Sequence, residues 1–195
     1  VMNQLWKHTR LQSTFSINML ALDNGQPKQM NLKEILLSFN KFKQEVVLNR
    51  TKFLLNKARD KAHILTGLLV ALKNIDEIIK IIRNSKDGEE AKLELCNKFW
   101  KANDVEKYIQ LIDDPNNKVV DGTYKLSELQ AKAILELRLQ RLTGLELEKI
   151  TLEINELSDN INQYLSIISN DNVLKKLIIS EFDEAINKLN FKRRT

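Results

Sequence analysis

Between Asn31 and Ser85 the chain contains a single glycine, Gly67, and no proline. Asn31 stands three residues before Glu34, the spacing of an N-cap side chain and its N3 acid. Together these predict one helix of up to about 55 residues, roughly 80 Å long at about 1.5 Å per residue, where an ordinary globular helix has about 11–12. A helix that long must be covered along one stripe by a partner. Ala58, Ala62, Leu65, Leu69, Leu72, Ile79 and Ile82 recur at threes and fours with one step of seven, and supply the stripe.

The partner lies near the other end of the chain. Leu147, Ile150, Ile154, Leu157, Ile161, Tyr164 and Ile168 form a heptad seam, with Glu148, Lys149, Glu153, Asn155, Glu156 and Asp159 between them as a polar face. Ser169-Asn170-Asp171 breaks this helix and caps a last one carrying Leu174, Ile178, Phe182, Ala185 and Leu189. One outgoing and one returning helix make an antiparallel hairpin. Between them, Glu89–Phe99 and Val105–Ile112 read as short helices, 113–117 as a loop, and Leu126–Leu142 as a strong helix stopped by Thr143-Gly144. That last helix is apolar on too many faces for the surface of a monomer. At the start, residues 1–12 read as the tail of a helix. Phe15, Ile17, Met19 and Ala21 alternate with their neighbours before Asp23-Asn24-Gly25, which predicts a short strand entering a turn. With no second strand in view, the chain is expected to begin mid-structure. The expected class is mainly α: a long antiparallel coiled-coil hairpin, a small globular helical knob at its tip, and a short β segment near the N-terminus. Its parts are 1–30, the helix tail and strand; 31–85, the outgoing helix; 86–144, the knob; and 145–195, the returning helices.

Composition supports helix. The chain has 5 Gly and 2 Pro, against roughly 14 and 10 expected from average usage. No apolar run is long enough to span a membrane, and the N-terminus lacks the pattern of a secretory signal. Cys96 is the one cysteine, and neither it nor His8 or His63 has a partner at metal-ligand spacing, so no metal site is expected and Cys96 reads as a buried small apolar residue. Trp6 and Trp100 read as packing residues. Charge is uneven: residues 1–85 carry 14 Lys/Arg and 6 Asp/Glu, the remainder 17 and 20. A basic first half suits a phosphate neighbour, although a lysine-rich solvated helix face gives the same count.

The segments LQSTFSINMLAL (11–22), GQPK (25–28), MNLKEIL (30–36), KARDKAHILTGLLVALKNIDEIIKIIRNS (57–85), LQAKAILELRLQRLTGLELEKI (129–150) and KRRT (192–195) resemble the A subunit of DNA gyrase, a type IIA topoisomerase. Ser16, Asn49 and Lys61 depart from that pattern, standing where the family often has Gly, Arg and Arg. The resemblance implies the end of the tower region, the coiled-coil arm, and the knob whose two copies form the exit gate for a passed duplex. It also implies a cytoplasmic, chromosome-associated enzyme whose partner is a B subunit, through which ATP and Mg²⁺ enter. Double-stranded DNA would lie transiently in the cavity.

Leu126, Leu129, Ile134, Leu137 and Leu139 are the candidate dimer contacts, since a twofold interface is close in composition to a core cut in half; a knob core would use the same residues. Lys41, Lys43, Arg50, Lys52 and Lys57, continued by Arg59 and Lys61, are the candidate DNA-facing residues. The family's cleaving tyrosine follows an arginine, whereas Tyr108, Tyr124 and Tyr164 follow Lys107, Thr123 and Gln163. No catalytic residue is therefore assigned, and the chain by itself is expected to be inactive. Two rival readings remain: the paralogous topoisomerase IV subunit, and a stand-alone coiled-coil oligomerisation protein.

Overall fold

The computed structural model describes residues 1–101, 105–112, 122–137 and 144–189. The chain forms two compact units, Val1–Val46 and Val47–Thr195. The described residues are mainly helical, with two small antiparallel strand pairs among them.

In the first unit, α1 (Met2–His8) precedes a hairpin of β1 (Leu20–Asp23) and β2 (Gln26–Gln29), with Leu20 opposite Gln29 and Asp23 opposite Gln26. Asn24 and Gly25 both have positive φ, 51° and 79°, the two-residue turn whose twist matches a right-twisted strand pair. The strand is shorter than the alternation from Phe15 predicts. Pairing ends where Met30 N–H donates to Met19 O, because the chain then turns into a helix and leaves Phe15 and Ile17 unpaired and exposed. That helix, α2 (Leu32–Lys73), opens with the expected capping box. Glu34 N–H donates to Asn31 Oδ1 (2.9 Å) and Asn31 N–H donates to Glu34 Oε2 (3.0 Å). Ser38 Oγ donates to Asp23 Oδ1 (2.8 Å), tying the hairpin to the helix.

In the second unit, α2 continues to Lys73 and stops there, short of the 55-residue helix expected to Ser85. Asn74 is the cause. Its side-chain amide donates to Val70 O at 2.8 Å, a local bond that competes with helix continuation, and α3 (Ile75–Asn84) restarts from it. Then follow α4 (Gly88–Asn97), β3 (Phe99–Lys101), α5 (Glu106–Ile112), β4 (Thr123–Lys125), α6 (Glu128–Leu135), α7 (Gly144–Ser169) and α8 (Asp171–Lys188). Gly144, read from sequence as a helix stop, is the first residue of α7. The break between α7 and α8 falls at Asn170 as expected, where the side chain accepts from Asn172 N–H (2.9 Å).

The arm is antiparallel, because residues that rise in number along α2 meet residues that fall along α7 and α8. Val47 packs with Ile167, Leu174 and Ile178; Leu55, Ala58 and Ala62 with Ile161; Leu65 and Leu69 share a core with Ile154. Ion pairs Arg50–Glu181 and Lys61–Glu153 follow the same order. Toward α3 the stripe leaves this interface: Ile78, not Ile79 or Ile82, is the buried residue there.

Beyond the arm, β3 pairs with β4 across α5, bringing Trp100 opposite Tyr124, both almost fully buried. Trp100 Nε1 donates to Leu95 O (3.0 Å). Neither strand is legible in the sequence pattern, which reads Phe99 as the end of a helix.

Candidate functional site

Helix α6 is the element to which the sequence points most directly, and its placement follows from its start. Ser127 Oγ accepts from Gln130 N–H (3.2 Å) while Ser127 N–H donates to Gln130 Oε1 (3.0 Å), a complete capping box. Leu126 therefore precedes the helix instead of beginning it, and α6 ends at Leu135.

The candidate contact residues separate. Leu126 and Ile134 are 3% and 5% exposed and sit in the main core with Ala131, Trp100 and Ile154. They are committed to this chain's own interior. Leu129 points away from that core and is 67% exposed. Leu137 is half-buried and lines an apolar cavity of about 220 Å³ with Ala71, Ile75, Ile79 and Ile82 of the α2–α3 corner. Leu139, and the expected helical stretch through Leu142, lie outside the described residues.

What holds α6 in place is polar, and sequence reasoning missed it. Gln130 is fully buried. Its Nε2 donates to the backbone carbonyl of His63 on α2 (2.7 Å) and to Tyr124 Oη (2.9 Å). The amide's orientation is chemically determined, because its two ends meet a carbonyl and a backbone N–H, so only nitrogen suits the first and only oxygen the second. His63 Nε2 lies 2.7 Å from Ser127 Oγ, closing the cluster. Gly67, one helical turn beyond His63, makes room for it. A Cβ there would lie 2.6, 2.7 and 2.8 Å from Gln130 Cγ, Cβ and Cδ. The Ser127-x-x-Gln130 spacing was the one signal available in the sequence.

Around this anchor, Lys92 of α4 bridges to Glu128 of α6 (3.0 Å), and that hydrogen bond, with the carboxylate's charge, raises the Lys92 pKa. Lys98 Nζ donates to Glu77 Oε2 (2.6 Å), which holds the Glu77 carboxyl below its ordinary value. Lys98 also lies 5.0 Å from the Trp100 ring centroid, and Lys125 lies 5.6 Å from that of Phe99. Cys96 is half-buried, not fully buried as expected, and packs at the core's edge, where desolvation pushes its thiol pKa up.

The basic residues do not share one environment. Lys41 is exposed and Lys43 half-buried in the first unit. In the second, Arg50 and Lys61 are engaged with Glu181 and Glu153 on the returning helices, and Lys52 and Lys57 are exposed. The tyrosines serve packing: Tyr108 is buried and its hydroxyl donates to Asn155 Oδ1 (2.6 Å), Tyr124 belongs to the Gln130 cluster, and Tyr164 lies on the arm seam. Among the described residues, no three His, Cys, Asp or Glu side chains are grouped to hold a metal ion, and no helix is long and apolar enough to cross a membrane.

A family profile for the A subunit of DNA gyrase/topoisomerase IV matches residues 1–183. The chain is 45% identical over 196 residues to the DNA gyrase A subunit of Granulibacter bethesdensis, covering 100% of this chain and 21% of that protein. It is 46% identical to that of Rickettsia prowazekii over 181 residues (93% and 20%) and 47% identical to that of Aeromonas salmonicida over 190 residues (93% and 21%). The chain thus spans about a fifth of the length of the curated relatives it matches.

Proposed function

Because the chain belongs to the A-subunit family of DNA gyrase and topoisomerase IV, we propose that it is the coiled-coil arm and exit-gate knob of a gyrase A subunit, which keeps two such subunits joined while DNA passes between them. The carrying observation is the division of α6: one face is locked into this chain's core by Leu126, Ala131 and Ile134, while Leu129 stands outward at 67% exposure. A large leucine held outward on a pinned helix is a natural contact for a second copy related by a twofold axis. Phe99 and Leu93, 62% and 61% exposed on the neighbouring β3 and α4, add apolar surface to the same subdomain.

The antiparallel arm supplies stiffness. A buried seam from Val47 to Leu69, with ion pairs along its flank, transmits displacement of one end to the other without bending easily. In this reading the arm's chemistry is electrostatic. Lys52 and Lys57 offer weak, sequence-independent attraction to phosphates of a duplex in the cavity, while Arg50 serves the arm itself. DNA cleavage belongs to other parts of the holoenzyme. The chain has no glycine-rich phosphate loop in its sequence, and its described residues hold no carboxylate cluster. In this reading ATP and Mg²⁺ enter through the B subunit, and the assembly works in the cytoplasm on chromosomal DNA. The named relatives favour gyrase over topoisomerase IV.

The test is Leu129→Asp in the complete A subunit, reconstituted with its B subunit. Retained DNA cleavage with loss of supercoiling is expected, and an unchanged supercoiling rate would remove this tip from the gate.

A further inference from the structure

Buried side-chain amides are uncommon, and this one reaches across 67 residues of sequence to bond a carbonyl inside a helix. The His63 carbonyl already lies within the hydrogen-bonded length of α2, so Gln130 is not needed to complete that helix. The amide instead joins three elements: α2 through His63 O, the start of α6 through Ser127 N, and β4 through Tyr124 Oη. Gly67 lets the aliphatic part of the side chain lie directly on the α2 backbone, so the two helices meet at a position that any Cβ would displace. Apolar packing alone tolerates small slides and rotations. A fully satisfied polar cluster in a low-dielectric interior specifies one arrangement.

We propose that Gln130 is a positioning residue, pinning α6 to the arm in one pose so that Leu129 is presented to the second copy and tip and arm move as one body. This rests on the exit-gate reading for its consequence, but the pin itself is a property of the single chain. Removing the amide takes a bond from the Ser127 N–H and another from the Tyr124 hydroxyl and frees α6 to shift, while the arm seam around Ile161 is untouched.

The experiment measures hydrogen exchange by mass spectrometry, together with the dimer dissociation constant, on the whole chain. It compares wild type with Gln130→Met, which keeps length but loses the polar bonds, and with Gly67→Ala, Gln130→Ala and Gly67→Ala/Gln130→Ala. Exchange of α6 amides is expected to quicken about tenfold in Gln130→Met and Gly67→Ala, and the dissociation constant to rise about tenfold, as losing buried hydrogen bonds implies. Amides flanking Ile161 should not change. The double variant should be less impaired than the sum of the two single variants, because Cγ and Cδ, two of the three atoms that the new Cβ meets, are gone while the Cβ of position 130 remains. Unchanged α6 protection, additive effects in the double variant, quickened exchange with an unaltered dissociation constant, or simultaneous loosening of the arm would each overturn the proposal. A monomeric wild type would instead sink the gate reading, and the exchange comparison would still judge the pin.

Discussion

Thr66 sits fully buried on α2 beside Gly67, and its hydroxyl has no hydrogen-bond partner among the described residues. An orphaned hydroxyl in an apolar interior costs about 1–3 kcal/mol of desolvation. Thr66→Val, nearly the same shape, is therefore expected to raise stability by about 1 kcal/mol in urea unfolding, with the slope unchanged; a loss of stability would mean that the hydroxyl is satisfied. The leucines of α6 give a paired prediction. Leu126→Asp buries an unpaired charge in the main core and should abolish cooperative folding, whereas Leu129→Asp should keep a cooperative thermal transition, its melting temperature lowered only by the loss of the contact with a second copy. Sequence could name both leucines as candidates but could not separate them, because one helical residue of offset at the Ser127 cap decides which side faces inward. Gln130 was hidden for a different reason. Its capping role is local and readable, but its bond to His63 joins positions whose proximity only the folded arm creates.

At the scale of elements, the helical seams were legible because period survives any tertiary context: Ala58, Ala62, Leu65, Leu69, Ile154 and Ile161 are all buried where the stripes placed them. Ile161, 1% exposed, is central to the middle of the arm, and Ile161→Ala should destabilise by about 2–5 kcal/mol in denaturant unfolding. A cost well under that range would mean the seam collapses around the gap. The break at Asn74 was not legible, since one asparagine within a long apolar pattern is ordinarily tolerated. Strands β3 and β4 were missed because three residues cannot display a period and their pairing spans the intervening α5. The α3–α4 corner carries a pH signature. Its hydrogen bond from Lys98, and then that lysine's charge, depress the Glu77 pKa below 4.5 in the folded chain. A depressed carboxylate contributes stability that is present above its unfolded value and lost as pH falls through its folded one. NMR titration should accordingly find the Glu77 midpoint below 4.5 in wild type and returned toward it in Lys98→Met. An unmoved midpoint would break the assignment. Both groups are solvent-exposed, so the effect on overall stability is small.

On the scale of the whole molecule, the second unit combines buried clusters along the arm, a core around Trp100 and Tyr124, and an apolar residue, Leu129, outside that core. The family was readable from the sequence because its signature segments are spread along nearly the whole chain, and residues 1–183 match it. Which tip side chains serve this chain's own core and which are left for a second copy was not readable, because burial within a chain and burial between chains select the same side chains. Sedimentation equilibrium of the chain over a wide concentration range, wild type beside Leu129→Asp, addresses that point directly. If Leu129 joins two copies, wild type is a reversible dimer and the variant a folded monomer. A wild type that stays monomeric, or a variant that dimerises as well as wild type, would rule that contact out.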